Sequence, residues 1–171
     1  DSLLDDLSRE AIEARCARDR ETLEALPRQI DYTRLSRNSQ IDYEIFRQDL
    51  SRSIWLAENV HPYEQDPRAY GKYISDSVYL LLAQSTQPKE TNIANCLARM
   101  EQMPRVVAAA KENLRHPARP LLETAIRQNQ GSIAFYEKDI FDFAGKTPQS
   151  SALKASAARV AGCLKEYQAF L

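Results

Sequence analysis

The chain contains two histidines, His61 and His116, and they are the first residues to test for metal chemistry. A zinc hydrolase places two imidazoles on one helical face with a carboxylate beside them, because the ion takes nitrogen ligands and its water needs a base. Here each histidine precedes a proline, Pro62 and Pro117, which steers the residue before it away from the helical region. Both therefore belong at helix ends, and no His-Glu-x-x-His stretch occurs. Glu58-Asn59-Val60-His61 has the Glu-x-x-His step of di-iron carboxylate bundles, which need a second such step and glutamates from two further helices. His116 has Glu112 four residues before it rather than three, so the second copy is missing. Asp139 and Asp142, with Glu137 nearby, could divide acid and base roles if their surroundings separated their pKa values. On a long amphipathic helix, a solvated acidic face accounts for them as well. With no Gly-x-Ser-x-Gly elbow and no glycine-rich phosphate loop, this reading assigns the chain no catalytic residue and no metal ligand.

Tyrosines are the stronger binding signal. Tyr63, Tyr70, Tyr73 and Tyr79 fall close together, and tyrosine joins a large apolar ring to a hydrogen-bonding tip. That combination suits either a ligand groove or the rim of a helical core. Tyr70 and Tyr73 are the substrate-groove candidates. Cys16, Cys96 and Cys163 form no C-x-x-C pair and have apolar neighbours at helical spacing, so they read as small core residues.

These residues must be positioned by helices. Four glycines in 171 residues and no period-two alternation leave helical periodicity as the dominant pattern. Ser8 is a fitting N-cap for a first helix, with Ile12, Cys16, Leu23 and Leu26 on one face and an end expected before Pro27. A second helix runs from about Ser36 to Asn59, with Tyr43, Phe46, Leu50 and Ile54 inward and Ile41, Ile45 and Trp55 broadening that stripe. Asp66-Pro67 opens a third, carrying Tyr70, Ile74, Val78, Leu81 and Leu82 to about Ala83. Pro88 opens a fourth, which Pro104 should kink or restart. The longest pattern spans Pro120 to Ala144 and stops at Gly145, a helix-ending glycine. A last helix from about Ser150 places Leu153, Ala157, Val160, Leu164, Tyr167 and Leu171 at alternating steps of four and three, a seam for another helix. The seam reaches the final residue without a stop signal.

The expected fold is all-α, an antiparallel bundle of about six or seven helices in a single domain over residues 1–171, and an incomplete part of a larger helical fold. A formal net charge of −1, with basic residues spread evenly, lacks the basic face of a nucleic-acid binder. Apolar runs such as Val78 to Ala83 fall far short of the about 20 residues a membrane span needs. The acidic start, Asp1-Ser2-Leu3-Leu4-Asp5-Asp6, is not a signal peptide. The compartment stays open between cytoplasm and export after loss of an upstream signal.

Several stretches resemble the amino-terminal half of a bacterial family, domain-of-unknown-function family 885. They are Asp6-Leu7-Ser8-Arg9-Glu10-Ala11, Gln40-Ile41-Asp42-Tyr43, and Asp66-Pro67 with Tyr70. The best match is Asn113-Leu114-Arg115-His116-Pro117 followed by Glu123-Thr124-Ala125-Ile126-Arg127-Gln128 and Gly131. The family resembles gluzincin-type zinc peptidases, helical around a long cleft. Its expected His-Glu-x-x-Pro-Gly-His motif has no counterpart in this sequence. The resemblance thus implies a non-catalytic helical region that forms part of a substrate cleft, with zinc only in the full-length parent and the missing catalytic half as partner. A different class is also open: a stand-alone interaction module that uses the Leu153–Leu171 seam, with self-association through the last helix.

Overall fold

The computed structural model describes residues 1–171. The chain is all-α, with no strand. Its helices are α1 (Arg9–Gln29), α2 (Arg37–Asn59), the single turn α3 (Pro62–Gln65), α4 (Arg68–Ala83), α5 (Lys89–Asn113), α6 (Arg119–Ala134), α7 (Ile140–Ala144) and α8 (Ser150–Phe170). A π turn, Phe135–Asp139, joins α6 to α7, so the expected long helix to Ala144 is one element with a wide turn inside it. No helix is long and apolar enough to cross a membrane. The chain divides into two compact units: Ser8–Pro62, and Asp1–Leu7 with Tyr63–Leu171.

The smaller unit is a helical hairpin of α1 and α2. Ser8 and Ser36 cap the two helices, their hydroxyls accepting from the Ala11 and Ser39 amides, each at 3.3 Å; such a cap contributes about 1 kcal/mol. Tyr32 meets Tyr43 near the turn while Arg20 pairs with Glu58 at 2.7 Å far from it, so the helices run antiparallel. Helix α1 passes through Pro27 to Gln29, beyond the expected stop. Proline's fixed φ suits a helix, and in the last turn its missing N–H costs a single bond; Pro27 is exposed, where the crowding is relieved toward water. Of the apolar stripe expected on α2, Leu50 is buried, whereas Ile41, Ile45, Phe46 and Trp55 are exposed.

The larger unit is a four-helix bundle in which α4 packs on α5, α5 on α8, α8 on α6 and α6 on α4. Its core holds Ile74, Val78, Ile93, Met103, Val106, Ile140, Leu153, Val160 and Leu164, with three enclosed tyrosines. Each of those phenols is satisfied. Tyr70 donates to the Tyr63 carbonyl at 2.7 Å, Tyr136 to that of Ile74 at 3.0 Å, and Tyr167 to that of Pro67 at 2.8 Å. Burial raises the phenol pKa of Tyr136 and Tyr167 above the ordinary value. Helix α5 runs unbroken through Pro104, which lies on its exposed side. The seam of α8 is occupied: Leu153, Ala157, Val160, Leu164 and Tyr167 are buried against α5 and α6. That corrects the expectation of a free partner-binding or self-associating surface there, because the apolar stripe closes the chain's own core.

Candidate functional site

An open depression of about 490 Å³ lies in the larger unit, between α4, one turn of α5 and the residues before Ser8. Helix α4 supplies Ala69, Lys72, Tyr73, Asp76, Ser77 and Leu80 at spacings that share one face, and α5 supplies Arg99. Leu3, Leu4 and Asp5 form the remaining wall. The volume is in the range of small-ligand sites, roughly 300–1,000 Å³.

The wall from the chain start is irregular rather than helical, and α4 and α5 hold it by its main chain. Arg99 Nε donates to the Asp1 carbonyl at 2.6 Å, and Gln102 Nε2 to that of Ser2 at 2.8 Å. Arg105 Nη2 donates to the Leu4 carbonyl at 2.5 Å, and Asn113 Nδ2 to that of Leu7 at 2.8 Å. In the other direction, the Leu4 amide donates to Gln102 Oε1 at 3.1 Å and the Asp5 amide to the Tyr73 hydroxyl at 2.6 Å. Leu4 and Leu7 bury their side chains. An irregular segment has no ladder of its own, so its amides and carbonyls need such side-chain partners.

Two groove candidates therefore part company. Tyr73 lines the depression, half-buried, and burial raises its phenol pKa above the ordinary value. Tyr70 lies in the core with no exposed surface, its hydroxyl between the Tyr63 carbonyl and Asn113 Nδ2; it cannot touch a ligand on that wall. Tyr63 packs edge-on against Tyr70 at 5.8 Å, and Tyr79 sits instead in an aromatic cluster with Phe135 and Phe143. Sequence reading missed Arg99 and the irregular segment before Ser8. The pair Leu4 and Leu7 just before the Ser8 cap was the available signal, but spacing in an irregular segment has no period to read.

The other chemistry-bearing residues are dispersed. His61 and His116 end helices with φ of 48° and 45°, a left-handed conformation in which histidine is enriched, and both are exposed. Glu58 is engaged by Arg20 and Glu137 by Lys165 at 2.6 Å. No group of three His, Cys, Asp or Glu side chains is close enough to hold an ion. Cys96 is enclosed, and burial pushes its thiol up to about 12, the reverse of an activated thiolate. Around the depression stand a phenol, a guanidinium and the Lys72–Asp76 ion pair over an apolar floor. Those groups can hold a ligand's carbonyls, amides and apolar side chains.

The family described as bacterial protein of unknown function (DUF885) matches residues 1–171. The chain belongs to this family. No curated protein matches it. A solved structure with a similar fold is that of a "putative lipoprotein of unknown function" from Shewanella oneidensis, with a TM-score of 0.79 and 22% identity over 98% of this chain. At that identity the likeness is one of fold. The chain spans 31% of the length of that protein. Within this DUF885 chain, the Asn113-to-Gly131 stretch that carries the resemblance is largely architectural. Asn113 ties down the Leu7 carbonyl, Leu114 and Ala125 are buried, and the Arg115 amide donates to the Glu64 carbonyl at 2.8 Å.

Proposed function

We propose that this chain is the non-catalytic, helical amino-terminal region of a larger zinc-dependent peptidase of the DUF885 family, and that it forms one wall of the substrate cleft. The observation that carries the reading is the seat on α4 and α5. Four carbonyls and two amides of an irregular segment are bound there by side chains. Beside it lies a depression with Tyr73 and Arg99 on its wall. Recognition through main-chain groups is what a peptide-handling surface requires, since it tolerates varied side chains. The limited share of the solved relative that this chain spans is in keeping with a parent that has a separate catalytic part.

The test is peptide hydrolysis by two purified proteins, this chain and the product of the whole coding region around it. The chain alone is expected to be inactive with or without added zinc. The whole product is expected to cleave peptides and to lose that activity on chelation. Zinc-dependent cleavage by the chain alone, or none by the whole product, would sink the proposal.

A further inference from the structure

The α1–α2 hairpin contains 55 residues, yet Leu26 and Leu50 are its only buried side chains among the residues of those helices. Two packed helices with so little enclosed surface cannot offset the conformational entropy of ordering them. Helix α2 nonetheless carries apolar residues on two opposite sides. At 100° per residue, Tyr43, Leu50 and Ile54 cluster on the side toward α1, and Ile41, Ile45 and Trp55 lie roughly opposite. These three are 41%, 63% and 56% exposed. Their line continues through Gln48 and Arg52, so that 41, 45, 48, 52 and 55 follow alternating steps of four and three. That is the spacing of a helix-on-helix seam, about 21 Å long at the rise of an α-helix. Arg52 lies within it, one step before Trp55, paired with Asp49 at 2.8 Å while both remain well exposed.

We infer that the outer face of α2, centred on Ile41, Ile45 and Trp55, is the surface on which a helix from the remainder of the parent polypeptide docks. The inference rests on the reading that the chain is one region of a longer protein, and it adds where the rest attaches. The fold recurs in a protein of which this chain spans only 31%, so further chain in the same molecule is available as cover. The seam states the chemistry of its occupant: apolar residues opposite Ile41, Ile45 and Trp55, and a carboxylate or amide opposite Gln48 and Arg52. Large aromatic side chains such as Trp55 are the anchors that carry much of the binding at such interfaces.

The experiment is thermal melting of Ile45→Glu and Trp55→Glu, each made in this chain and in the product of the whole coding region. In the isolated chain both substitutions should leave Tm within about a degree of the parent, since the side chains face water. In the whole product both should lower Tm by several degrees. An equal loss in the isolated chain would overturn the inference by showing the face to be covered from within, and no loss in either protein would show it uncovered. Light scattering across a dilution series tests a second copy as occupant. A dimer of the isolated chain that both substitutions dissociate, with the whole product unmoved, would overturn the inference in favour of self-association. A coding region that ends with this chain would overturn it as well. Melting needs no hydrolysis, so a whole product without peptidase activity would end the preceding proposal and leave this one standing.

Discussion

Asn113 shows how a residue from the family-like stretch acts through structure. Its Nδ2 donates to the Leu7 carbonyl at 2.8 Å and to the Tyr70 hydroxyl at 3.1 Å, within a buried cluster. Asn113→Ala would strand a buried carbonyl, at a cost of about 1–3 kcal/mol. Urea denaturation should read that loss, and residues 1–7 should become more open to protease in the folded protein. Undiminished stability would mean that water replaces the amide. Cys96 offers a second handle. Its thiol has an ordinary value of 9.0 and is pushed up to about 12 by burial. The unfolded chain therefore gives up this proton first as pH rises. The thiol's contribution is intact below about pH 9 and is lost progressively between 9 and 12. Between pH 9 and 11 the Tm of the parent should fall more steeply than that of Cys96→Ala, with parallel curves below pH 8. Curves parallel throughout would show that this thiol ionises freely in the fold. Such residue-level facts were partly legible. A cysteine among apolar neighbours reads as core, but which of two tyrosines three positions apart is enclosed depends on rotation about α4, which spacing alone leaves open.

Among the elements, the path from α6 to α7 is the most instructive. Its buried positions include Tyr136, Ile140 and Ala144. Steps of four overshoot a turn of an α-helix by about 40° each, so a run of them drifts around the axis. The wider π turn at Phe135–Asp139 takes out part of that drift and keeps the stripe on the core. The helix then stops at Gly145, whose φ of 58° and ψ of −155° belong to glycine alone. A Cβ there would also sit 3.2 Å from Lys89 Nζ, which donates to the Lys146 carbonyl at 2.8 Å. Gly145→Ala should cost about 1–3 kcal/mol, measured as a lower urea midpoint with an unchanged slope; an unaltered midpoint would mean the turn relaxes into another conformation. Helix starts and stops were the best-read features, since Ser8, Ser36 and Gly145 act through local geometry. Pro27 and Pro104 misled because the cost of a proline depends on whether its side of the helix faces water, and that is a tertiary fact.

At the scale of the molecule, periodicity announced the helices but not their cover. The stripe of α8 and the outer stripe of α2 share the same alternating steps of four and three, yet one is enclosed by α5 and α6 and the other is exposed. Packing thus divides the chain into units of unequal strength. The bundle encloses large side chains from α4, α5, α7, α8 and the π turn, whereas the hairpin of Ser8–Pro62 encloses Leu26 and Leu50 from its two helices. Local opening free energies range from near zero up to the global value, and they follow buried apolar contact. Amide hydrogen exchange on the isolated chain should therefore show two classes. Amides of α5 and α8 should exchange only through global unfolding, and mid-helix amides of α1 and α2 several-fold to orders of magnitude faster. Added denaturant separates the mechanisms: the α5 and α8 rates should rise steeply with concentration and those of α1 and α2 only weakly, because opening the hairpin exposes little new surface. Equal protection in the two units would mean that the hairpin draws its stability from contacts as extensive as those of the bundle.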